Sequence, residues 1–556
     1  MRNSKFLLFL SFTLVLSMFL AACAGGSNQT DQGQGNEPQD EPKEEVKQVL
    51  NLIESAEIPT MDSVKGTDAV AFNVMNNVFE GLYRLGQDNE PVLGVAAEEP
   101  QVNEDGTVYT FKIRDDAKWS DGSNVTAHDF VFAWRRAVDP NVGSEYGPYM
   151  MNGVIKNADK VSAGELPLEE LGVKALDDKT LEVTLERPVP YFKSLMTFPT
   201  FYPQKEEFVT EKGDQYASNS DNLLYNGPFV LTDWNGTGLS WKMVKNEHYW
   251  DKDTVKLEEI NVNVVKETST AVNLYETGEI DRVALSGEFA LQYKGHEEYQ
   301  TYLEPVIFWF KFNQKNEALA NVNIRKAISM AIDRQAMVDN ILANGSVVAN
   351  YAVPKDFVFH NGKDFRDGNG DLLAYDPEKA KEYWQKGLEE LGKTELELEI
   401  LGGDTELSKK MDEFFKDQLE KTLPGLTIKL KEVPFKIRLD LDTKEEYDIQ
   451  VAGWGPDYQD PMTFSDLWVT DGGNNHMNYS NPKYDELIEA AKTTLATDLD
   501  ARWEALQEAE RILMEDAAIG PLYQRGVAVL QKPYVKGLVV HPFGADFSYK
   551  WAYIEK

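Results

Sequence analysis

Apolar and polar residues alternate strictly through Lys179, Thr180, Leu181, Glu182, Val183, Thr184, Leu185 and Glu186, which predicts a half-buried strand. Leu426, Ile428 and Leu430 alternate with Thr427, Lys429 and Lys431 in the same way, and Tyr109, Phe111 and Ile113 share one face of a third strand. Helical spacing takes over at Ile324, Ile328, Ala331 and Ile332 and continues through Val338, Ile341 and Leu342, with Gly345 as the expected stop. Tyr484, Leu487, Ile488 and Ala491 predict a helix capped by Asn481 with Pro482 in its first turn, and Trp503, Leu506, Ile512 and Leu513 predict the next. Thr126 followed by Asp129 is a capping-box pattern ahead of Phe130, Val131 and Trp134. Strands and helices are mixed throughout, which places the chain in the α/β class with more than one domain.

The amino terminus departs from this pattern. Arg2 and Lys5 precede an apolar run over residues 6–20, the length of a signal-peptide core and short of the ~20 residues that cross a bilayer as a helix. Leu20, Ala21, Ala22 and Cys23 follow, and this resembles a lipobox, at which bacterial lipoproteins are lipidated on cysteine and cleaved. Cys23 is the only cysteine, so no internal disulfide can form and acylation accounts for its presence. Residues 24–47 hold Gly, Gln, Asn, Pro and acids with almost no large apolar side chains, the composition of a flexible spacer.

Composition narrows the partners. The chain has 42% hydrophobic residues and 11% aromatics, enough for well-formed cores. A formal charge of −37 repels phosphates and anionic headgroups, which argues against a nucleic-acid partner. No G-x-S-x-G or H-E-x-x-H occurs, and the six histidines are scattered singly, so neither an enzyme nor a metal or cofactor site is expected. Residues 387–394 fit the P-loop pattern. However, helical spacing through Ala380, Tyr383, Trp384, Leu388 and Leu391 ends at Gly392 and a strand pattern follows, the reverse of the strand-then-helix order a P-loop needs. Asp367, Asn369, Asp371 and Glu378 occupy calcium-loop positions, but Leu372 sits where the sharp turn requires glycine.

Several segments in order resemble the peptide-binding branch of the bacterial extracytoplasmic solute-binding proteins, family 5, and its oligopeptide-binding members most of all. They are DDAKWSDGSNVTAHDFVFAWRRAVDP over 115–140, Phe79-Glu80-Gly81-Leu82, the run 171–192, and Asn226-Gly227-Pro228-Phe229 with Trp234. Further on come Gly278-Glu279-Ile280-Asp281, Asn323-Ile324-Arg325-Lys326-Ala327 and Gly453-Trp454-Gly455-Pro456-Asp457-Tyr458. The resemblance runs from about residue 50 to the end. It implies a two-lobed periplasmic-binding-protein fold of the three-domain peptide-binding type. The expected organisation is a signal peptide (1–22), a lipidated linker (23–47), a discontinuous lobe 1 domain (48–79, 205–305 and 526–556), an inserted second domain of lobe 1 (80–204) and a lobe 2 domain (306–525).

The implied function is that of a monomeric lipoprotein on the extracytoplasmic face of the cell membrane. It would capture oligopeptides and deliver them to the permease of an ABC transporter. Nickel complexes, oligosaccharides and peptide pheromones are alternative ligands within the same fold. The resemblance assigns Asp457 to the ligand α-ammonium. It assigns Trp454 and Gly455, with Thr67, Asp68 and Ala69 opposite, to the ligand backbone, and Tyr146, Trp309 and Phe435 to side-chain pockets. One departure stands out. Where members holding short peptides carry basic groups for the ligand carboxylate, this chain has Ser408, Asp442, Val451 and either Asn340 or Leu342. Burying an unpaired carboxylate is costly. The ligand is therefore longer, or another residue neutralises it, or it is not a simple short peptide.

Overall fold

All three alternating segments become strands, two of them in one four-stranded sheet and Leu426–Val433 in the largest sheet. Thr180–Thr184 lies between Val108–Lys112 and Val173–Asp177, with Gln101–Val102 at the edge, all antiparallel. A second four-stranded sheet runs Val49–Glu54, Glu259–Val264, Ser240–Lys245 and Phe229–Thr232, its first pair parallel and the rest antiparallel. The structure is a computed structural model that describes residues 46–556. The expected signal peptide, Cys23 and the spacer up to residue 45 lie outside the described residues. Among the described residues no helix is long and apolar enough to cross a membrane.

The largest sheet is ordered Arg282–Leu285, Ile519–Gln531, Tyr299–Phe312, Ile449–Trp454, Leu396–Gly403 and Leu426–Val433, with Val347–Val348 attached to Ile519–Gln531. Its two long central strands, Tyr299–Phe312 and Ile519–Gln531, are antiparallel and slip register between Leu303 and Ile307 and again at Phe308. Tyr299–Phe312 is buried almost throughout from Glu304 onward, as a strand covered on both faces must be. That burial explains why its apolar run shows no alternation.

The helices follow their caps. Asn481 accepts from Lys483 N–H and Tyr484 N–H ahead of Pro482–Lys492, and the N–H of Thr126 donates to Asp129 at 2.8 Å ahead of Ala127–Ala137. Pro377–Leu391 stops at Gly392 in the left-handed region, and the strand Leu396–Gly403 follows, so residues 387–394 have helix-then-strand order. Asn369, one of the calcium-pattern residues, is instead held by Arg511 at 2.6 Å and Glu510 at 2.7 Å.

One helical reading is corrected. The spacing from Ile324 to Leu342 predicts a continuous helix, but the chain forms Val322–Met330, a turn, Arg334–Ala336 and a π-helical turn Met337–Leu342. Buried Arg334 causes the break. Its guanidinium donates to Ser329 O at 2.9 Å and Pro521 O at 2.6 Å, ending one helix, while Asp333 accepts from Ala336 N–H and starts the next. Termination comes at Ala343, which takes the left-handed conformation, two residues before the expected Gly345.

A buried ion pair ties segment 350–370 to the helix Leu499–Glu515. Glu510, 3% exposed, takes Arg366 at 2.6 Å and the N–H groups of Ala352 and Val353 at 2.9 Å. Glu510→Ala leaves a guanidinium and two amides without their acceptor and should cost about 3–5 kcal/mol in urea unfolding. A loss below ~1 kcal/mol would show that water replaces the carboxylate without penalty.

Candidate functional site

The strand Ile449–Trp454 has one full edge and one largely open one. Along one side it pairs antiparallel with Tyr299–Phe312 for its whole length. On the other side only Ile449 and Gln450 have strand partners, Ile400 and Leu401. Asp448 O accepts from Asn313 N–H at 2.9 Å, so backbone groups of even-numbered residues face Tyr299–Phe312. In an extended strand both groups of a residue lie on one edge and successive residues alternate. The groups of Val451, Gly453 and Gly455 therefore face the open edge. Gly453 and Gly455 are exposed there, and a Cβ on Gly453 would meet the Phe308 ring at 2.7 Å.

Past the strand the chain turns at Gly455 and Pro456 and buries Asp457 to 5% exposure. Its neighbours are hydroxyls. The Tyr149 hydroxyl lies between Oδ2 at 3.2 Å and Thr463 O at 3.1 Å, Tyr146 donates to Oδ1 at a longer 3.4 Å, and the Asp457 N–H is fixed on Thr463 Oγ1 at 3.0 Å. Among the described residues no Lys, Arg or His nitrogen reaches Asp457 within ion-pair distance. Burial pushes the Asp457 carboxyl up to about 8 against the pull of these hydrogen bonds. A carboxyl buried among hydroxyls ionises at a cost that a positive charge placed beside it would offset.

An aromatic box surrounds it. Tyr146 stacks on Trp454 at 6.0 Å and on Phe198 at 5.5 Å, and Tyr149 meets Trp454 edge-on at 6.1 Å. Tyr146 and Tyr149 share one short helix, Tyr146–Met151, at a spacing that brings both hydroxyls to one acceptor. These contacts also join two stretches distant in sequence. Glu145 accepts from Thr443 at 3.1 Å and lies 3.8 Å from His476, and Tyr191 stacks on Tyr458 at 5.0 Å.

The other expected site residues take varied places. Asp68 is the N-cap of Ala69–Val78, accepting from Ala71 N–H at 2.9 Å. Its Oδ2 is buried without a partner among the described residues, and its charge is felt at Tyr146 and Arg438. Thr67 is half-buried before it, and Ala69 opens the helix exposed. Phe435 begins the helix Phe435–Thr443, with Arg438 5.2 Å over its ring. Trp309 is buried against Trp468 at 5.2 Å in the sheet interior. Sequence reasoning missed Tyr149, Phe198 and Arg438. The three-residue spacings from Tyr146 and from Phe435 were the available signals for Tyr149 and Arg438.

Among the departing positions, Asp442 is already neutralised. Burial opposes its ionisation, but Lys311 at 2.7 Å and His476 at 3.1 Å outweigh burial and hold the carboxyl well below the usual range. Ser408 sits in the first turn of Glu406–Thr422. Asn340 is exposed and Leu342 buried, both on the π-helical turn.

The family description "bacterial extracellular solute-binding proteins, family 5 middle" matches residues 90–476. The dipeptide-binding protein of Lactococcus lactis subsp. cremoris is 35% identical over 514 residues, covering 90% of this chain and 93% of the relative. The solved structure of Listeria monocytogenes OppA bound to peptide is 51% identical, with a TM-score of 0.88 over 92% of this chain and 99% of that one. The Escherichia coli murein tripeptide binding protein MppA, 29% identical, overlays at 0.84 over 92% and 99% of the two chains. MppA in its unliganded open form overlays at 0.60, at 29% identity over 91% and 97%. The arrangement here is that of the former.

Because burial raises the Asp457 carboxyl from 3.8 to about 8, the folded chain keeps a proton in that window that the unfolded chain releases. This contribution to stability is complete below pH ~4 and is lost as pH rises towards ~8. Asp457→Asn carries no such proton. The Tm difference, variant minus parent, should widen steadily between pH 4 and 8 and flatten above; a difference independent of pH would overturn the assignment.

Proposed function

The chain belongs to family 5 of the bacterial extracellular solute-binding proteins, and we propose that it captures oligopeptides outside the cell for the membrane permease of an ABC importer. The carrying observation is the buried Asp457 carboxylate beside an open strand edge. A peptide offers what both lack: an α-ammonium for the carboxylate, and N–H and C=O groups for the edge. Every peptide backbone offers the same groups, so this mode accepts many sequences. In this reading the Gly455 backbone, with Thr67 and the extended Asp68 opposite, holds the ligand main chain, and the Trp454 ring packs beside it. Tyr146 and Phe435 flank its side chains.

The lobes of this reading are those of the sequence: 48–79, 205–305 and 526–556 with the inserted 80–204 on one side, and 306–525 on the other. Support comes from the sheets: both four-stranded sheets draw only on the first set. The long strands Tyr299–Phe312 and Ile519–Gln531 run between the sets and slip register midway, where a hinge would flex. Cys23 carries the lipid that keeps the protein at the membrane, with residues 24–47 as its tether.

Calorimetry on residues 24–556 tests the ligand. Free-amine peptides should bind, N-acetylation should abolish binding, and Asp457→Ala should weaken it at least about a hundredfold, the loss expected when a buried charge pair is broken. At pH 6–7 the bound ammonium should drive the proton from Asp457, so the binding enthalpy should vary with buffer ionisation heat in the parent and not in Asp457→Asn. Equal binding of acetylated peptides would remove Asp457 from the ammonium role. Separately, Cys23→Ser should abolish metabolic labelling with palmitate and release the protein into the medium; retained labelling would exclude Cys23 as the acylated residue.

A further inference from the structure

The neutralising group absent from the expected positions has a replacement one helical turn away. Arg438, in Phe435–Thr443, reaches the open edge of Ile449–Trp454, where its Nη1 donates to Val451 O at 2.8 Å. Among the described residues this is the only hydrogen bond of its side chain, and no carboxylate lies within ion-pair distance of it. The guanidinium is half-buried and braced by the Phe435 ring. The acids around it leave its charge available. Asp442 is taken by Lys311 and His476. Asp68 and Asp412 act on Arg438 only from beyond ion-pair distance, and burial pushes both carboxyls up to about 7, so each carries only part of its charge near neutrality.

We infer that Arg438 receives the C-terminal carboxylate of a short peptide whose ammonium sits at Asp457, so that the two residues together measure ligand length. The inference rests on the peptide-binding reading above. By occupying Val451 O, Arg438 stops backbone pairing after Gly453. The distance from Gly455 to Val451 is four strand steps, about 13 Å at ~3.3 Å per residue, which an extended peptide of about three or four residues spans. A guanidinium presents several donors in a plane and suits a carboxylate better than the lone carbonyl it now touches. Longer peptides must lift past Arg438 and gain nothing from their carboxylate there.

The test compares pooled tri- and tetrapeptides with pooled octapeptides, each as free acids and as C-terminal amides, by calorimetry on residues 24–556. Amidation should weaken the short pool at least tenfold and leave the octapeptides unchanged. Arg438→Gln should weaken the short acids, erase their difference from the amides and preserve octapeptide binding, which also reports that the variant is folded. Equal affinity of short acids and amides in the parent protein, or an unchanged acid-to-amide ratio in Arg438→Gln, overturns the role of Arg438 while leaving peptide binding intact. Absence of binding by either pool overturns the peptide reading itself, and this inference with it.

Discussion

The uncompensated carboxylate of Asp457 is the constraint around which the site is built. It is buried among Tyr146, Tyr149 and Thr463, with hydroxyl donors and no cation within reach among the described residues. Ionising a group buried in this way is costly unless a positive charge lies beside it. The hydroxyls come from segment 144–151 and the carboxylate from the turn after Ile449–Trp454. The carboxyl and its tyrosine neighbours therefore come from two separate parts of the chain.

The second requirement is a sheet edge that ends early. Leu396–Gly403 pairs with Ile449 and Gln450 and then continues beside Leu426–Val433, leaving Val451 to Gly455 without a strand neighbour on that side. An open edge is ordinarily a liability for aggregation. Here the Tyr146 ring stacks on Trp454 at one end and Arg438 donates to Val451 O at the other. Gly453 belongs to the same solution: its missing side chain lets the strand lie against Phe308, which itself stacks on Tyr523 at 4.7 Å.

The sheet that carries this edge also carries the long strands that span the molecule. Their register slip at Leu303 and Ile307 is accompanied by a buried cluster in which Gln524 donates to Glu304 O at 3.0 Å and Arg525 pairs with Glu304. Polar groups satisfied in this way hold an irregular segment in the interior without a penalty for lost hydrogen bonds. The irregularity falls between the strand ends that pair with Arg282–Leu285 and those that pair with Ile449–Trp454, where a change of angle disturbs the fewest ladder bonds.

Local signals in the sequence determined local elements. Thr126 and Asp129, Asn481 and Pro482, and the alternation around Leu181 and Val183 each specify one element through its own backbone, so tertiary structure had nothing to revise. The rejection of residues 387–394 as a phosphate loop was legible for the same reason, since helix order and glycine position are local. The break after Met330 was not legible, because it depends on Arg334 reaching Pro521, 187 residues away. Asp457 could be singled out from its segment, but its state could not: the hydroxyls of Tyr146 and Tyr149 arrive from about 300 residues away in the chain. Arg438 was invisible on its own for the same reason. A charged residue on an amphipathic helix is an ordinary solvated side chain by sequence, and only the sheet edge folded against it gives it the Val451 carbonyl as a partner. Short-range backbone chemistry is written along the chain. The chemistry of a cleft depends on which distant surfaces exclude water together, and that is decided only when they meet.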